Sequence, residues 1–321
     1  MEAKKESIKK FNNIDDLVNN SINGTSFAYD FYLKLHGVKY ILSIYDKNEL
    51  IAFMPLFEEN KSLNQSTMYI PYGGPVILYN FSSYRKQILY TRELLDVISK
   101  YLVENYDSIS FSMDTSLIDI KSLVNNGLVP EVRYTYLIDL SDSLENIYKR
   151  FGSDRKKDIK LSYDVEVLCH DNVDLFDLDK ALVWEYNYGE KLSKRFTKKY
   201  LKQAILNNKG KIFTASKNNK VLGSVAVVWD NHSCYIMYSY YDKKEVSVIP
   251  VIYYEIIKYL KENNICRYLD FEGSVFKEIE EWNLSFGAKQ TLYFNFYYEK
   301  DNKVELYDEL YDYGEKNEKQ F

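Results

Sequence analysis

Between residues 38 and 57 the apolar positions fall into two short blocks. They are separated by the polar quartet Asp46-Lys47-Asn48-Glu49, and the second block opens on Leu50-Ile51-Ala52. Short apolar runs broken by a tight polar turn predict a β-hairpin. The arrangement returns over residues 211–229, with the turn at Lys217-Asn218-Asn219-Lys220 and a second strand opening Val221-Leu222-Gly223. Further along, residues 91–105 and 251–263 place apolar side chains at helical spacing, and both stretches close on Lys-Tyr-Leu followed by Glu-Asn. A short strand follows in each case, at 108–113 and 267–271. Next comes a helical stretch that stops at Gly127 or Gly287, then a β-rich run at 132–140 or 290–298. The same order of elements thus occurs twice, over about 100 residues each and at an offset of about 160 to 170, which predicts a tandem duplication.

Each copy is expected to form a mixed sheet, hairpin first, with later strands joined through helices on its faces. The fold class is therefore α/β, in the α+β mixed-sheet sense. The expected domains are 1–142, 143–300 and an acidic tail or helix over 301–321. The second half opens with helices over 143–151 and from Ser153, a strand at 165–169, and helices at 173–188 and 197–207.

Composition narrows the function classes. A chain of 321 residues with 46% hydrophobic and 28% charged positions has the material for two cores and is not expected to be disordered. Its 32 tyrosines suggest aromatic-rich packing. The lysine-rich first 11 residues have no apolar segment, and no window reaches the roughly 18 apolar residues of a spanning helix, so a cytoplasmic protein with no transmembrane segment is expected. Cys169, Cys234 and Cys266 are odd in number and far apart, which fits a reducing compartment, and with three histidines no metal site is expected. No DNA partner is expected, but the net charge of −5 hides basic runs at 149–160 and 191–202 that would suit a phosphorylated ligand or transfer RNA.

The two copies differ where chemistry would show. The first reads Ser110-Phe111-Ser112-Met113-Asp114, and the second reads Asp270-Phe271-Glu272-Gly273-Ser274. With Leu269 and Phe271 turned to the core, Asp270 and Glu272 would share the opposite face at a strand's C-terminal end, where open α/β sheets bind ligands. Gly273 permits a tight turn, and Ser274 is placed to cap the next helix. Tyr72-Gly73-Gly74-Pro75 would form a turn or let a ligand approach the backbone. Arg155, on a predicted helix with Ile159 one turn on, is placed to grip phosphate. Tyr238 and Tyr240 share one face of a predicted strand, for packing or for proton donation in acyl transfer.

Taken together, the tandem halves, Tyr72-Gly73-Gly74-Pro75, the Arg155-x-x-x-Ile159-Lys160 helix, Asp270-Phe271-Glu272-Gly273-Ser274 and Ser285-Phe286-Gly287-Ala288 resemble the FemAB-like branch of the GNAT superfamily, including its BioF2-like acetyltransferase domains. The resemblance spans residues 25–300. It implies two tandem GNAT-like (acyl-CoA N-acyltransferase-like) domains with the donor site mainly in the second. It also implies Arg155 on phosphate of a nucleotide-linked acceptor and Tyr238 or Tyr240 facing the reacting centre. The chain departs from that pattern twice. Where bridge-forming relatives carry Phe-Lys before the Phe-Gly, it has Trp282-Asn283. The junction at 242–250, where acetyl-CoA enzymes place a glycine loop, has no glycine.

These readings lead to an acyltransferase moving an aminoacyl or acyl group to a primary amine of a cell-envelope or polysaccharide precursor. Tyr238, Asp270 and Glu272 are the expected catalytic residues. Tyr72, Gly73, Gly74, Arg155, Tyr240, Ser274 and Asn283 are the expected substrate-binding residues. No tightly bound cofactor is expected, with aminoacyl-tRNA or acyl-CoA as co-substrate and a small-molecule or nucleotide-linked acceptor as partner. The alternative is a non-catalytic binding protein with a GNAT-like cleft for a phosphorylated or nucleotide-linked ligand. A nucleic-acid-binding module would rest on the basic runs alone.

Overall fold

The computed structural model describes residues 1–65, 70–182, 193–242, 248–273 and 277–300. The chain divides into two compact units. One comprises Met1–Asn23, His36–Arg133 and Tyr293–Phe321, and the other comprises Gly24–Leu35 and Tyr134–Leu292. No helix among the described residues is long and apolar enough to cross a membrane.

In the first unit, β1 (Glu2–Ser7) pairs antiparallel with β2 (Tyr40–Asp46), Glu2 opposite Tyr45 and Ser7 opposite Tyr40. The sequence Glu-Ala-Lys-Lys-Glu-Ser shows no apolar alternation because β1 is the edge of the order β1-β2-β3-β6, where charge discourages pairing with other chains. Here β3 is Glu49–Leu56 and β6 is Val76–Ile77. A second group of strands runs β4 (Glu58–Glu59), β5 (Ser62–Asn64), β7 (Ser108–Ser112) and β14 (Lys289–Glu299). The long helix α3 (Tyr84–Asn105) starts at Ser83, whose side chain accepts the Lys86 N–H, and turns Leu94, Leu95, Ile98 and Leu102 into the core. Shorter helices α1 (Ile14–Asn20) and α4 (Lys121–Asn125) complete this unit, while α2 (Asp30–Leu35) belongs to the second.

The second unit is built on the strand order β8-β13-β12-β11-β10-β9. Its strands are β8 (Val129–Asp139), β9 (Glu166–His170), β10 (Gly210–Lys217), β11 (Lys220–Trp229), β12 (Ser233–Tyr241) and β13 (Tyr268–Asp270). Only β12 and β13 run parallel among these pairs. Its helices are α5 (Leu144–Arg150), α6 (Ser153–Leu161), α7 (Leu178–Ala181), α8 (Lys194–Leu206), α9 (Val248–Glu262) and α10 (Lys277–Leu284). The helix expected over 173–188 is, as far as residue 182, a 3-10 turn followed by α7. The Asp177 side chain accepts the Lys180 N–H and starts a new helix there. The rest of that stretch, like the 301–321 tail, lies outside the described residues.

The duplication is written into the two hairpins. Lys47 and Asn48 have φ of 49° and 68°, and Asn218 and Asn219 have 51° and 61°, so both turns use two left-handed residues and follow the twist of their strands. In β2/β3 the register slips between Ile44 and Tyr45, with Ile44 opposite Ala52 and Tyr45 opposite Leu50. In β10/β11 it slips between Ala215 and Ser216, with Ala215 opposite Gly223 and Ser216 opposite Val221. The same turn and the same one-residue bulge occur at matching places.

Segment Gly24–Leu35 joins the second unit through Asp230. This buried carboxylate accepts the Ser26 N–H and the Tyr235 hydroxyl on Oδ2, both at 2.8 Å, and the N–H groups of His232 and Ser233 on Oδ1 at 2.7 and 2.8 Å. Four donors around one carboxylate offset part of the cost of burying it, and burial still raises its pKa above the ordinary value.

Gly287 ends α10 with φ +69°, and a Cβ there would lie 2.6 Å from Arg150 Cβ and 2.8 Å from the Arg150 carbonyl oxygen. Gly37 has φ +67° with open space around it. In urea unfolding, Gly287→Ala is expected to cost upwards of about 2 kcal/mol and Gly37→Ala about 1 kcal/mol. Equal costs would show that the contact with Arg150 contributes nothing.

Candidate active site

Strands β12 and β13 pair over three positions only: Ser233 with Tyr268, Cys234 with Leu269 and Tyr235 with Asp270. Then β13 ends, whereas β12 runs on to Tyr241. From residue 236 onward β12 has β11 on one side and, among the described residues, no strand on the other. A sheet edge opened in mid-sheet presents unpaired backbone groups to a ligand. The register with β11 also slips between Ala226 and Val227, which face Tyr238 and Ile236 and leave Met237 as the extra residue. Such a bulge bends the strand and re-aims the side chains that follow.

Asp270 sits where the strands part and is 2% exposed. Its Oδ1 accepts the Thr135 hydroxyl, from β8, and the Glu272 N–H at 2.8 Å. The next residue turns the other way. The Phe271 N–H bonds to the Tyr136 carbonyl at 3.0 Å, and its ring stacks on Phe286 with centroids 5.6 Å apart. Glu272 then adopts φ +61°, a left-handed conformation that costs a non-glycine residue about 1 kcal/mol. The Asp270 contact to its N–H holds it there. Leu269 and Phe271 face the core as expected, but the turn at Glu272 breaks the strand alternation, so the two carboxylates lie in different settings. Asp270 is buried and hydrogen-bonded, whereas Glu272 is half-buried. Gly273 is exposed, and Ser274 lies outside the described residues.

Register places Thr214, Ser224 and Tyr240 on one face of the sheet and Phe213, Val225 and Ser239 on the other. Tyr238 and Tyr240 are on the first face, both buried, but their surroundings differ. Tyr240 packs edge-on against Phe176 at 5.4 Å and lies 5.5 Å below Lys180 Nζ. Tyr200 of α8 is linked to this face through Tyr32, Phe27 and Tyr235, whose rings follow one another at centroid distances of 4.9, 5.4 and 5.1 Å. Its phenol is pushed well above its ordinary value by burial, then by the charges of Tyr238, Glu272 and Asp230. Tyr238, Tyr200 and Glu272 are therefore electrostatically linked, and Tyr240 belongs to the packing of α7.

On the other face, the Ser239 and Trp282 side chains approach the buried Tyr253 hydroxyl of α9 and offset part of the rise that burial gives its pKa. The Arg155 guanidinium lies 4.2 Å from the Trp282 ring centroid, and one of its nitrogens reaches Asp158 at 3.3 Å. Nε and Nη1 of Arg155 are buried and have no acceptor among the described residues, nor does Nδ2 of the 3%-exposed Asn283. Donors left without acceptors, two of them cationic, suit an anion. The cation missing from the Trp282-Asn283 pair is thus present at that ring, supplied by α6. Elsewhere the basic runs are partly neutralised, by Lys198–Asp174 at 2.6 Å and Lys149–Glu145 at 2.7 Å among others.

Tyr72, Gly73 and Gly74 belong to the first unit. Tyr72 packs edge-on to Tyr293 at 5.3 Å. A Cβ on Gly73 would lie 2.0 Å from the Gln65 side-chain oxygen, and one on Gly74 would lie 3.3 Å from the Ser112 carbonyl. Within this unit, the space those glycines leave is taken by Gln65 and by the end of β7. Thr135, Tyr200 and Tyr253 escaped sequence reading because each reaches the site from an element distant in the chain.

Residues 166–278 match the family described as Acetyltransferase (GNAT) domain. No curated protein sequence matches the chain. Among solved structures the chain is similar to FemX, with TM-score 0.65 and 10% identity over 92% of this chain and 97% of that one. It is also similar to the C-terminal domain of a putative lysylphosphatidylglycerol synthetase from Agrobacterium fabrum (TM-score 0.55, 11% identity, 88% and 89% covered) and to L-PGS from Bacillus licheniformis (TM-score 0.52, 12% identity, 94% of each). Identities this low mark a shared fold.

Thr135→Val keeps the shape but removes a donor from buried Asp270, and is expected to lower unfolding stability by about 1 to 3 kcal/mol. Thr135→Ser should lose far less. Equal losses from both would assign the effect to packing instead.

Proposed function

From a chain that has the FemAB-like tandem GNAT fold and carries a GNAT domain over residues 166–278, we propose an N-acyltransferase that works in its second unit. It moves an acyl or aminoacyl group from acyl-CoA or aminoacyl-tRNA to a primary amine of a cell-envelope or polysaccharide precursor. The observation that carries this reading is the parting of β12 from β13 after Tyr235 and Asp270, with Tyr238 and Glu272 beside it. The envelope precursor is favoured by the likeness to the C-terminal domain of a putative lysylphosphatidylglycerol synthetase. The open edge of β12 would hold the donor in extended form, and the Arg155 and Asn283 donors would take an anionic part of a substrate.

The chemistry needs a neutral amine, a proton acceptor and a donor to the leaving group. Amine nitrogen attacks the acyl carbon, and its proton passes to Glu272. The bond from carbon to the donor's sulfur or ribose oxygen then breaks, and that atom takes a proton from Tyr238, which solvent restores. Asp270 acts on this step through Glu272, whose backbone it holds in place. Junction 242–250 has no glycine, and residues 243–247 lie outside the described ones, so the donor's phosphates are assigned no residues there.

Glu272→Gln is expected to reduce kcat/KM by about 100-fold or more and Tyr238→Phe by about 10- to 100-fold, with melting temperatures unchanged. Full activity in both variants overturns the assignment. In a thermal-shift series with acetyl-CoA, charged tRNA and a nucleotide sugar, the true donor should raise the melting temperature with concentration. Stabilisation by the nucleotide sugar alone, with no transfer, would favour the binding-protein alternative.

A further inference from the structure

Tyr200 takes no part in the reaction drawn above, yet its position is hard to explain by packing alone. It lies in α8, 1% exposed, with its ring edge-on to Tyr32 at a centroid distance of 4.9 Å. Its hydroxyl is buried and has no hydrogen-bond partner among the described residues. A buried hydroxyl without a partner is destabilising, and phenylalanine would fill the same volume without that cost. Among the described residues, the side chains that act on it electrostatically are Tyr238, Glu272 and Asp230, all of them oxygen acids. Asp230 is already surrounded by four donors. Oxygen atoms and carboxylates gathered in a buried place produce a negative potential, which attracts an N–H cation and repels phosphate or carboxylate.

We infer that Tyr200 receives the amine of the acceptor, its hydroxyl oxygen accepting a hydrogen bond from a primary ammonium or amine held between Tyr200, Tyr238 and Glu272. This rests on the proposed transfer to an amine and adds the residue that would hold it. The phenol keeps its proton, so it remains a neutral acceptor and does not compete with Glu272 for the amine's charge. Arg155 and Asn283 lie on the Ser239 side of the sheet, so the acceptor's amine and any anionic group would bind on opposite faces of β12.

The test uses the full chain, wild type and Tyr200→Phe, melted in increasing n-butylammonium chloride and in tetramethylammonium chloride at equal ionic strength. The second cation has no N–H to donate. Wild type is expected to be stabilised by butylammonium only. Tyr200→Phe is expected to melt at the same temperature or higher without amine, and to need about tenfold more butylammonium for the same shift. The inference is overturned if butylammonium does not stabilise wild type, if both proteins respond alike, or if Tyr200→Phe melts lower without amine. The last result would mean that the hydroxyl has a structural partner. A wild type that binds butylammonium through Tyr200 but transfers no acyl group would keep the amine site and remove the proposed reaction.

Discussion

The arrangement of the site depends on the hydrogen bonds that end β13. Asp270 is the last strand residue, and its buried carboxylate holds the Thr135 hydroxyl and the Glu272 N–H. Those bonds fix Glu272 in a left-handed turn and stop the strand after three pairs with β12. Had β13 continued, its backbone would have covered the edge of β12 from residue 236, and Tyr238 would face another strand. One buried carboxylate therefore sets both the opening and the position of the half-buried carboxylate beside it. In the proposed reaction its role is to position, and half-buried Glu272 is the carboxylate that would exchange a proton with substrate.

The opening has two chemically distinct sides because a strand alternates its side chains. Tyr238 and Tyr200 stand on one face with Glu272 and Asp230, an acidic and phenolic setting. Ser239 faces the other way toward Tyr253, Trp282 and Arg155, where the spare groups are donors. A transferase that joins an amine to a group carried by a polyanion has use for both. The bulge at Met237 lies between these settings and the paired part of the strand.

Much of the fold was legible in the sequence because local chemistry decides it. Asparagine and lysine at 47–48 and asparagines at 218–219 mark left-handed turns, glycines 127 and 287 mark helix ends, and their repetition exposed the duplication. Strand β1 was not legible, since an edge strand of charged residues has no apolar period. Nor was the break at Asp177, where a side chain competes for the helix backbone. At the site, Asp270 and Glu272 stood out as carboxylates at a strand end. Their division into a buried and a half-buried group was not visible, because it depends on Thr135, more than a hundred residues earlier. The electrostatic link between Tyr238 and Tyr200 and the pairing of Arg155 with Trp282 likewise arise from packing between distant segments.

Backbone hydrogen exchange along β12 tests the central claim most directly. On addition of acetyl-CoA and of an aminoacyl-tRNA, each in turn, one of the two is expected to slow exchange over residues 237–241 and 272–273 while leaving β9 and β10 unchanged. Protection confined to other elements, or none with either donor, would contradict the view that the parted edge of β12 is where the donor binds.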